Sequence, residues 1–194
     1  FDCSEVGSNT IYLIVTDVSG NVDSASAVIT VQDLIKPTVV TQNLTVSLDA
    51  SGAGSVTATQ VDNGSTDNCT IVSRTLSKSS FDCSNVGTNT VYLIVTDVNG
   101  NVDSASAVIT VQDTIKPTVV TQNVTVSLDA SGSGSITVAD VDNGSTDNCT
   151  IATRTLSQSS FDCSELGSNT IYLIVTDVNG NVDSASAVIT VQDV

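Results

Sequence analysis

Apolar and polar residues alternate along most of this chain with a period of two, which places successive side chains on opposite faces of a strand. Thr38-Val39-Val40-Thr41 and Asn43-Leu44-Thr45-Val46-Ser47-Leu48 alternate in this way, and Asp49-Ala50-Ser51-Gly52-Ala53-Gly54 then supplies turn residues. The first strand is therefore split in two. Further strands are predicted over 55–61, 70–77, 90–98 and 102–112, with Ser79–Asp82 folding back on 70–77 around a turn near Leu76. Only Ser84–Asn89 is then left to return the chain, and six residues reach at most ~20 Å, so this stretch is expected to be irregular. Asn99-Gly100 between the last two strands predicts a two-residue hairpin turn with positive φ at both positions. No stretch carries a helical spacing of apolar residues.

The pattern repeats. Phe-Asp-Cys-Ser begins at Phe1, Phe81 and Phe161, and Thr-Asp-Val begins the same long string at Thr16, Thr96 and Thr176, a period of 80. Residues 34–113 and 114–193 differ at 14 of 80 positions, and the changes are mild, such as Val56/Ile136 and Val91/Ile171. That period exceeds a solenoid unit and matches a small autonomous domain. Joints fall just ahead of Ile-Lys-Pro (Pro37 and Pro117), since proline suits the start of a strand. The expected organisation is 1–33 as the C-terminal part of a module, with complete modules over 34–113 and 114–194. The fold class is all-β, with tandem immunoglobulin-like antiparallel β-sandwich modules.

Charge and composition narrow the function. The chain has 194 residues, 21 acidic against 5 basic, a net charge of −16, and no His, Trp or Met. So acidic a surface argues against nucleic acid. No apolar run is long enough for a membrane helix, which argues against direct membrane insertion. Without His, and with carboxylates that recur on turns in every repeat, an enzyme is not expected. Beginning at Phe1, the chain reads as an excerpt of a longer, processed polypeptide.

The cysteines Cys3, Cys69, Cys83, Cys149 and Cys163 follow the same period. If 70–77 and 79–82 form a hairpin, Cys69 faces Cys83 and Cys149 faces Cys163, each pair 14 positions apart, with Cys3 bonded to a partner upstream. A loop of that size contributes about 3 kcal/mol in the chain-entropy account. Reduced metal-binding or reactive thiols are the alternative, but no C-x-x-C or His accompanies them. Disulfides imply an oxidising, extracellular location.

Thr66-Asp67-Asn68-Cys69, Phe81 leading to Val86-Gly87, the Thr96–Asn101 string and the Lys-Pro joint together resemble the hyalin-repeat (HYR-like) immunoglobulin-type module. Asp62–Cys69, Phe81–Ser84 and Thr96–Ala105 are also similar to tandem arrays in secreted surface adhesins of Bacteroidetes, including the mobile adhesin of gliding flavobacteria. The resemblance implies export to a bacterial cell surface, display as a long filament, a role in gliding motility, and attachment to extracellular polysaccharide or solid surfaces. The usual cysteines near the first and last strands are replaced here by Thr41 and Ala105.

Two acidic loops suit a hard cation such as Ca²⁺. One is Asp97-Val-Asn99-Gly-Asn101-Val-Asp103, for whose carboxylates the alternative role is to satisfy nearby turn amides. The other is Asp62–Asn68, at the pole expected to face Asp33, the end of the preceding module. Candidate ligands are therefore Asp33, Asp62, Asp67, Asp97, Asn99, Asn101 and Asp103, with Asp113, Asp142, Asp147, Asp177 and Asp183 one period on. Under the Bacteroidetes resemblance, Ser24, Ser104, Ser184 and Thr114 fit an Asp-Ser/Thr-apolar O-glycosylation acceptor. Two functions remain: a disulfide-stapled stalk and multivalent attachment module whose partners are neighbouring repeats, or a calcium-dependent, lectin-like carbohydrate binder. The second needs an exposed aromatic, and Tyr92 and Phe81 are both expected in the core.

Overall fold

The computed structural model describes residues 1–193. Cys3–Glu5 forms a 3₁₀ turn, followed by β1 (Gly7–Thr16) and β2 (Val22–Val31). The next repeat contributes β3 (Leu44–Ser47), β4 (Ala53–Ser55), α1 (Ala58–Val61), β5 (Ile71–Leu76), β6 (Ser80–Asp82), β7 (Gly87–Asp97) and β8 (Val102–Gln112). The same series recurs as β9 (Val124–Leu128), β10 (Ser133–Ser135), α2 (Val138–Val141), β11 (Ile151–Leu156), β12 (Ser160–Asp162), β13 (Gly167–Asp177) and β14 (Val182–Asp193). The chain divides into two compact units. One comprises Phe1–Leu44, Val56–Ser79 and Thr88–Thr110, and the other Thr45–Ser55, Ser80–Gly87 and residues from Val111 onward.

In the second unit, strands β11-β13-β14-β9 form a four-stranded sheet and β10 pairs with β12 in a smaller one. Ile171, Leu173 and Val175 of β13 and Ala187, Ile189 and Val191 of β14 alternate inward, each at most 2% exposed. They join one core with Phe161 of β12, Ile136, and Val141 of α2. This is the sandwich expected of alternating strands: two sheets bury their apolar faces against each other and leave the polar faces wet. The preceding repeat has the same strand order, β3-β8-β7-β5 with a separate β4-β6 pair. The chain is thus all-β, with tandem immunoglobulin-like modules. β9 runs parallel to β14, with Val126 opposite Val191.

Three local expectations are corrected. The strand predicted over 55–61 ends at Ser55 and gives way to α1, because Thr57 and Gln60 cap each other: the Thr57 amide donates to Gln60 Oε1 at 2.8 Å and the Gln60 amide to Thr57 Oγ1 at 3.3 Å. The predicted hairpin between 70–77 and 79–82 does not form. β5 pairs with β7, and β6 pairs instead with β4, placing Phe81 opposite Gly54. A side chain at Gly54 would stand 2.8 Å from a Val46 methyl, so this strand approaches its neighbour through the missing Cβ. Finally, the Asn99-Gly100 turn is not the two-residue form. Of the two turn residues Gly100 has positive φ, at 90°, and Asn99 does not. The Asp97 amide donates to the Asn101 carbonyl at 3.1 Å, enclosing a three-residue loop.

The hairpin β1-β2 repeats the register of β13-β14 but carries a bare face. Leu13 is 68% exposed, whereas Leu93 and Leu173 at the same repeat position are fully buried. Leu173→Ala is therefore expected to cost about 2–5 kcal/mol, and Leu13→Ala to change stability by no more than ~0.5 kcal/mol. Urea unfolding of the two variants checks the contrast.

Candidate metal centres and the disulfides beside them

Asp97 ends β7 with its side chain folded into the following loop. Its Oδ1 accepts the amides of Asn99 (2.9 Å) and Asn101 (2.8 Å), and its Oδ2 accepts Asn101 Nδ2 at 2.7 Å. Burial alone pushes this carboxyl up, but the Asn101 side chain and amide, with the amides of Asn99 and Gly100, hold it below the ordinary carboxylate range. Asn101 Nδ2 also donates to the Asp33 carbonyl at 3.1 Å, so the loop grips the end of the preceding repeat. Asp33 Oδ1 accepts the Ile35 amide and Asn68 Nδ2, both at 3.1 Å, while Asp67 Oδ2 accepts the Cys69 amide at 2.9 Å.

These bonds gather three acids. One carboxylate oxygen from each of Asp33, Asp67 and Asp97 lies within 4.8 Å of the others, and Asp113, Asp147 and Asp177 repeat the arrangement. Two unit charges at that separation repel by about 3 kcal/mol at an effective dielectric constant of 20. The repulsion is not answered from within the clusters. Asp33 Oδ2, Asp67 Oδ1 and Asn99 Oδ1 are buried without a hydrogen-bond partner, as are Asp113 Oδ2, Asp147 Oδ1, Asn148 Oδ1 and Asn179 Oδ1. Asp113 is 7% exposed and Asp177 2%, so water does not solvate them freely. Three tethered carboxylates, two of which in each cluster keep an oxygen without a hydrogen bond, are a donor set for a hard divalent cation, which takes six to eight oxygens including waters.

The remaining candidates lie elsewhere. Asp62 and Asp142 are drawn away by arginine, with Arg74 Nε–Asp62 Oδ2 and Arg154 Nε–Asp142 Oδ2 both 2.8 Å. Asp103 and Asp183 are exposed at the starts of β8 and β14, and Asp103 Oδ1 is occupied by the Ser104 amide. Asn101 and its counterpart Asn181 serve through their amide nitrogens as clamps on Asp33 and Asp113. Asn148 was outside the predicted ligand set, yet its Nδ2 bonds Asp113 Oδ1 at 3.1 Å; the Asp-Asn-Cys string was the available signal. Ser24, Ser104, Ser184 and Thr114 are all exposed. Phe81 is buried as expected, but Tyr92 is 51% exposed, because it faces outward on β7 between inward-facing Val91 and Leu93.

Beside each cluster lies a disulfide, paired differently from the expectation. Cys3 bonds Cys69 and Cys83 bonds Cys149, each across 66 residues, while Cys163 is free and exposed. The intramodule pairs Cys69–Cys83 and Cys149–Cys163 are therefore absent, and Cys3 needs no upstream partner. The reason is the strand pairing. β11 belongs to the four-stranded sheet and β12 to the small one, so Cys149 and Cys163 do not meet at the open end of a hairpin. The bonds instead tie the first two Phe-Asp-Cys-Ser turns to the Asp-Asn-Cys loop of the next repeat.

No family model matches the chain, and no curated protein does. Solved structures similar to it include the protocadherin gammaB7 EC3-6 cis-dimer, at 17% identity and TM-score 0.38 over 98% of this chain and 59% of that one. Protocadherin gamma C5 EC1-3 is similar at 13% identity and TM-score 0.42, over 98% and 78%. The human mucin-like protocadherin EC1-2 gives 13% and 0.36, over 81% and 98%. The chain spans about 60% of the length of protocadherin gammaB7 EC3-6 and of PcdhgB3 EC1-4, to which it is also similar.

Cys83→Ser is expected to cost about 4 kcal/mol in the chain-entropy account of a 66-residue loop, measured by urea unfolding, with non-reducing peptide mapping of the parent chain yielding a Cys83–Cys149 linked pair. A pH series tests the arginine-paired acids. Burial raises the Asp142 carboxyl, but the Ser145 hydroxyl and amide and the charge of Arg154 lower it further, giving a net shift downward. Unfolded aspartate titrates near ~3.9, so the folded value lies below it. The stability this provides is complete well above pH ~4 and is lost as the pH falls through the folded value. Melting temperatures should show Asp142→Asn less stable than the parent at pH 7, with the difference shrinking toward pH ~3.

Proposed function

We propose that the chain is a segment of a long secreted cell-surface adhesin or filament, in which disulfide-bridged, cation-bound immunoglobulin-like repeats form a stalk and a multivalent attachment module. The observation that carries this reading is the twofold coincidence of a carboxylate trio with unused buried oxygens and a disulfide, both joining one repeat to the next. Calcium suits the donors: only oxygens converge, from carboxylates and side-chain amides, with no His or thiolate to favour zinc. Asp33, Asp67 and Asp97 with Asn99 would hold one ion, and Asp113, Asp147 and Asp177 with Asn148 and Asn179 the other. Bound there, the cation supplies charge neutralisation and a rigid link between three segments of chain. We read the protein as non-enzymatic.

The disulfides support an oxidising, extracellular setting. The hyalin-repeat strings support the finer reading, a bacterial cell-surface protein of the Bacteroidetes gliding-adhesin type. Weak contacts repeated along such a filament sum to firm attachment, with extracellular polysaccharide or a solid surface as the partner. The exposure of Ser24, Ser104, Ser184 and Thr114 supports their use as glycan acceptors.

Calcium titration followed by melting is the direct test. The melting temperature should rise with CaCl₂ in the ~10⁻⁴–10⁻³ M range of extracellular modules and fall with EDTA. Isothermal titration should count two ions in the parent chain and one in Asp67→Asn or Asp147→Asn. A melting curve indifferent to both calcium and chelator would sink the cation-stiffened reading. The native polypeptide should run on a gel far above the mass of this segment, and a native chain of this size alone would overturn the filament.

A further inference from the structure

The Phe-Asp-Cys-Ser turn occurs three times and the Asp-Asn-Cys loop twice, and both loops are already used. Cys163 is what remains. A lone thiol says little, but the surface around it is a replica of one that is occupied elsewhere in the chain. Around Cys83, the turn Asp49–Ala53 brings Gly52 so close that an added Cβ would stand 2.8 Å from the Cys83 sulfur and 2.7 Å from the Asn148 carbonyl oxygen. Asn148 Nδ2 donates to the Asp49 carbonyl at 3.3 Å, and Cys149 closes the disulfide. The turn is a shaped receptor: Gly52 lies at φ 75° and is buried beneath the docked loop.

The same receptor is built at Cys163. Asp129 Oδ1 accepts the Ser131 and Ser133 amides at 2.8 and 3.0 Å, as Asp49 Oδ1 accepts those of Ser51 and Ala53 at 2.8 and 3.1 Å. Gly132 has φ 75°, and its added Cβ would meet the Cys163 sulfur at 2.8 Å and nothing else within 4 Å. Asp162 caps the Cys163 turn through the Ser164 amide as Asp82 caps that of Cys83 through Ser84. Gly132 and Cys163 are each more exposed than Gly52 and Cys83, by the absence of a docked loop. Glu165 replaces Asn85 in this turn, but Glu5 occupies the same place beside the bridged Cys3, so the exchange is compatible with pairing.

We propose that the Cys163–Gly132–Asp129 surface is a docking site for the Asp-Asn-Cys loop of one further copy of the repeat, completed by a disulfide from Cys163. This rests on the tandem-array reading and names the partner of its free surface. The bond forms by two exchanges. The Cys163 thiolate, having lost its proton to solvent, attacks a small-molecule disulfide such as oxidised glutathione and expels one thiolate. The incoming cysteine, as thiolate, then attacks the Cys163 sulfur of that mixed disulfide and expels the second. Two protein thiols are oxidised and one small-molecule disulfide is reduced to two thiols.

The test extends the chain with a second copy of residues 114–193 after Asp193, refolded in a glutathione redox buffer. Thiol alkylation and non-reducing peptide mapping should find Cys163 joined to the added repeat's counterpart of Cys149, with label only on the added counterpart of Cys163. In a companion variant carrying Ser at that counterpart of Cys149, docking without the bond should slow Cys163 alkylation about tenfold relative to the 194-residue chain. Full reactivity of Cys163 in both extended chains, or recovery of Cys163 only as a symmetric dimer between two molecules, would overturn the proposal. Calcium titration of the same samples separates this result from the cation reading, since the bridge needs no metal to be detected.

Discussion

The carboxylate that ends the long strand of each complete repeat is the constraint on which the rest depends. Asp97 accepts two backbone amides and one side-chain amide within its own loop. That arrangement fixes the hairpin to a three-residue turn and orients Asn101 so that its amide reaches the Asp33 carbonyl. It also pins a buried negative charge where two further acids arrive from different segments. Strand pairing, repeat joint and charge cluster thus meet at one side chain, and Asp177 repeats the arrangement with Asn181 and Asp113.

Period and alternation made the strands legible from sequence, because inward-facing Val91, Leu93 and Val95 must share a face whatever lies opposite. What lay opposite was less legible. Pairing β6 with β4 rather than with β5 depends on Gly54 admitting a close neighbour, a tertiary fact that no alternation encodes. The cysteines followed that error: two cysteines 14 apart suit a hairpin, and only the sheet order shows that no hairpin is there. Asn-Gly likewise suggested the shorter turn, while Asp97, four residues before Asn101, carried the competing instruction to form a side-chain-capped loop.

The acid candidates show the same division. Sequence reading named every member of both trios, since acidic residues on turns are conspicuous, but it also named Asp62, Asp103, Asp142 and Asp183. Arg74 and Arg154 lie 12 residues beyond the acids they neutralise, on strands whose register had to be known first. Asn99 was among the residues named, but the free oxygens of Asn148 and Asn179 were hidden, because an amide's role depends on which of its two atoms its neighbours occupy.

The order of the bridges has a consequence under mechanical load. The covalent loops 3–69 and 83–149 follow one another, and only the stretch between Cys69 and Cys83 separates them. A pulled chain of 80-residue repeats without bridges would pay out about 280 Å per repeat at ~3.5 Å per residue. With the bridges intact, tension passes from sulfur to sulfur, and the 14 residues from Cys69 to Cys83 yield only about 50 Å. Even with every strand unzipped, such a tether stops short at less than a fifth of its contour, and the sequestered loops are free to refold when the load is released.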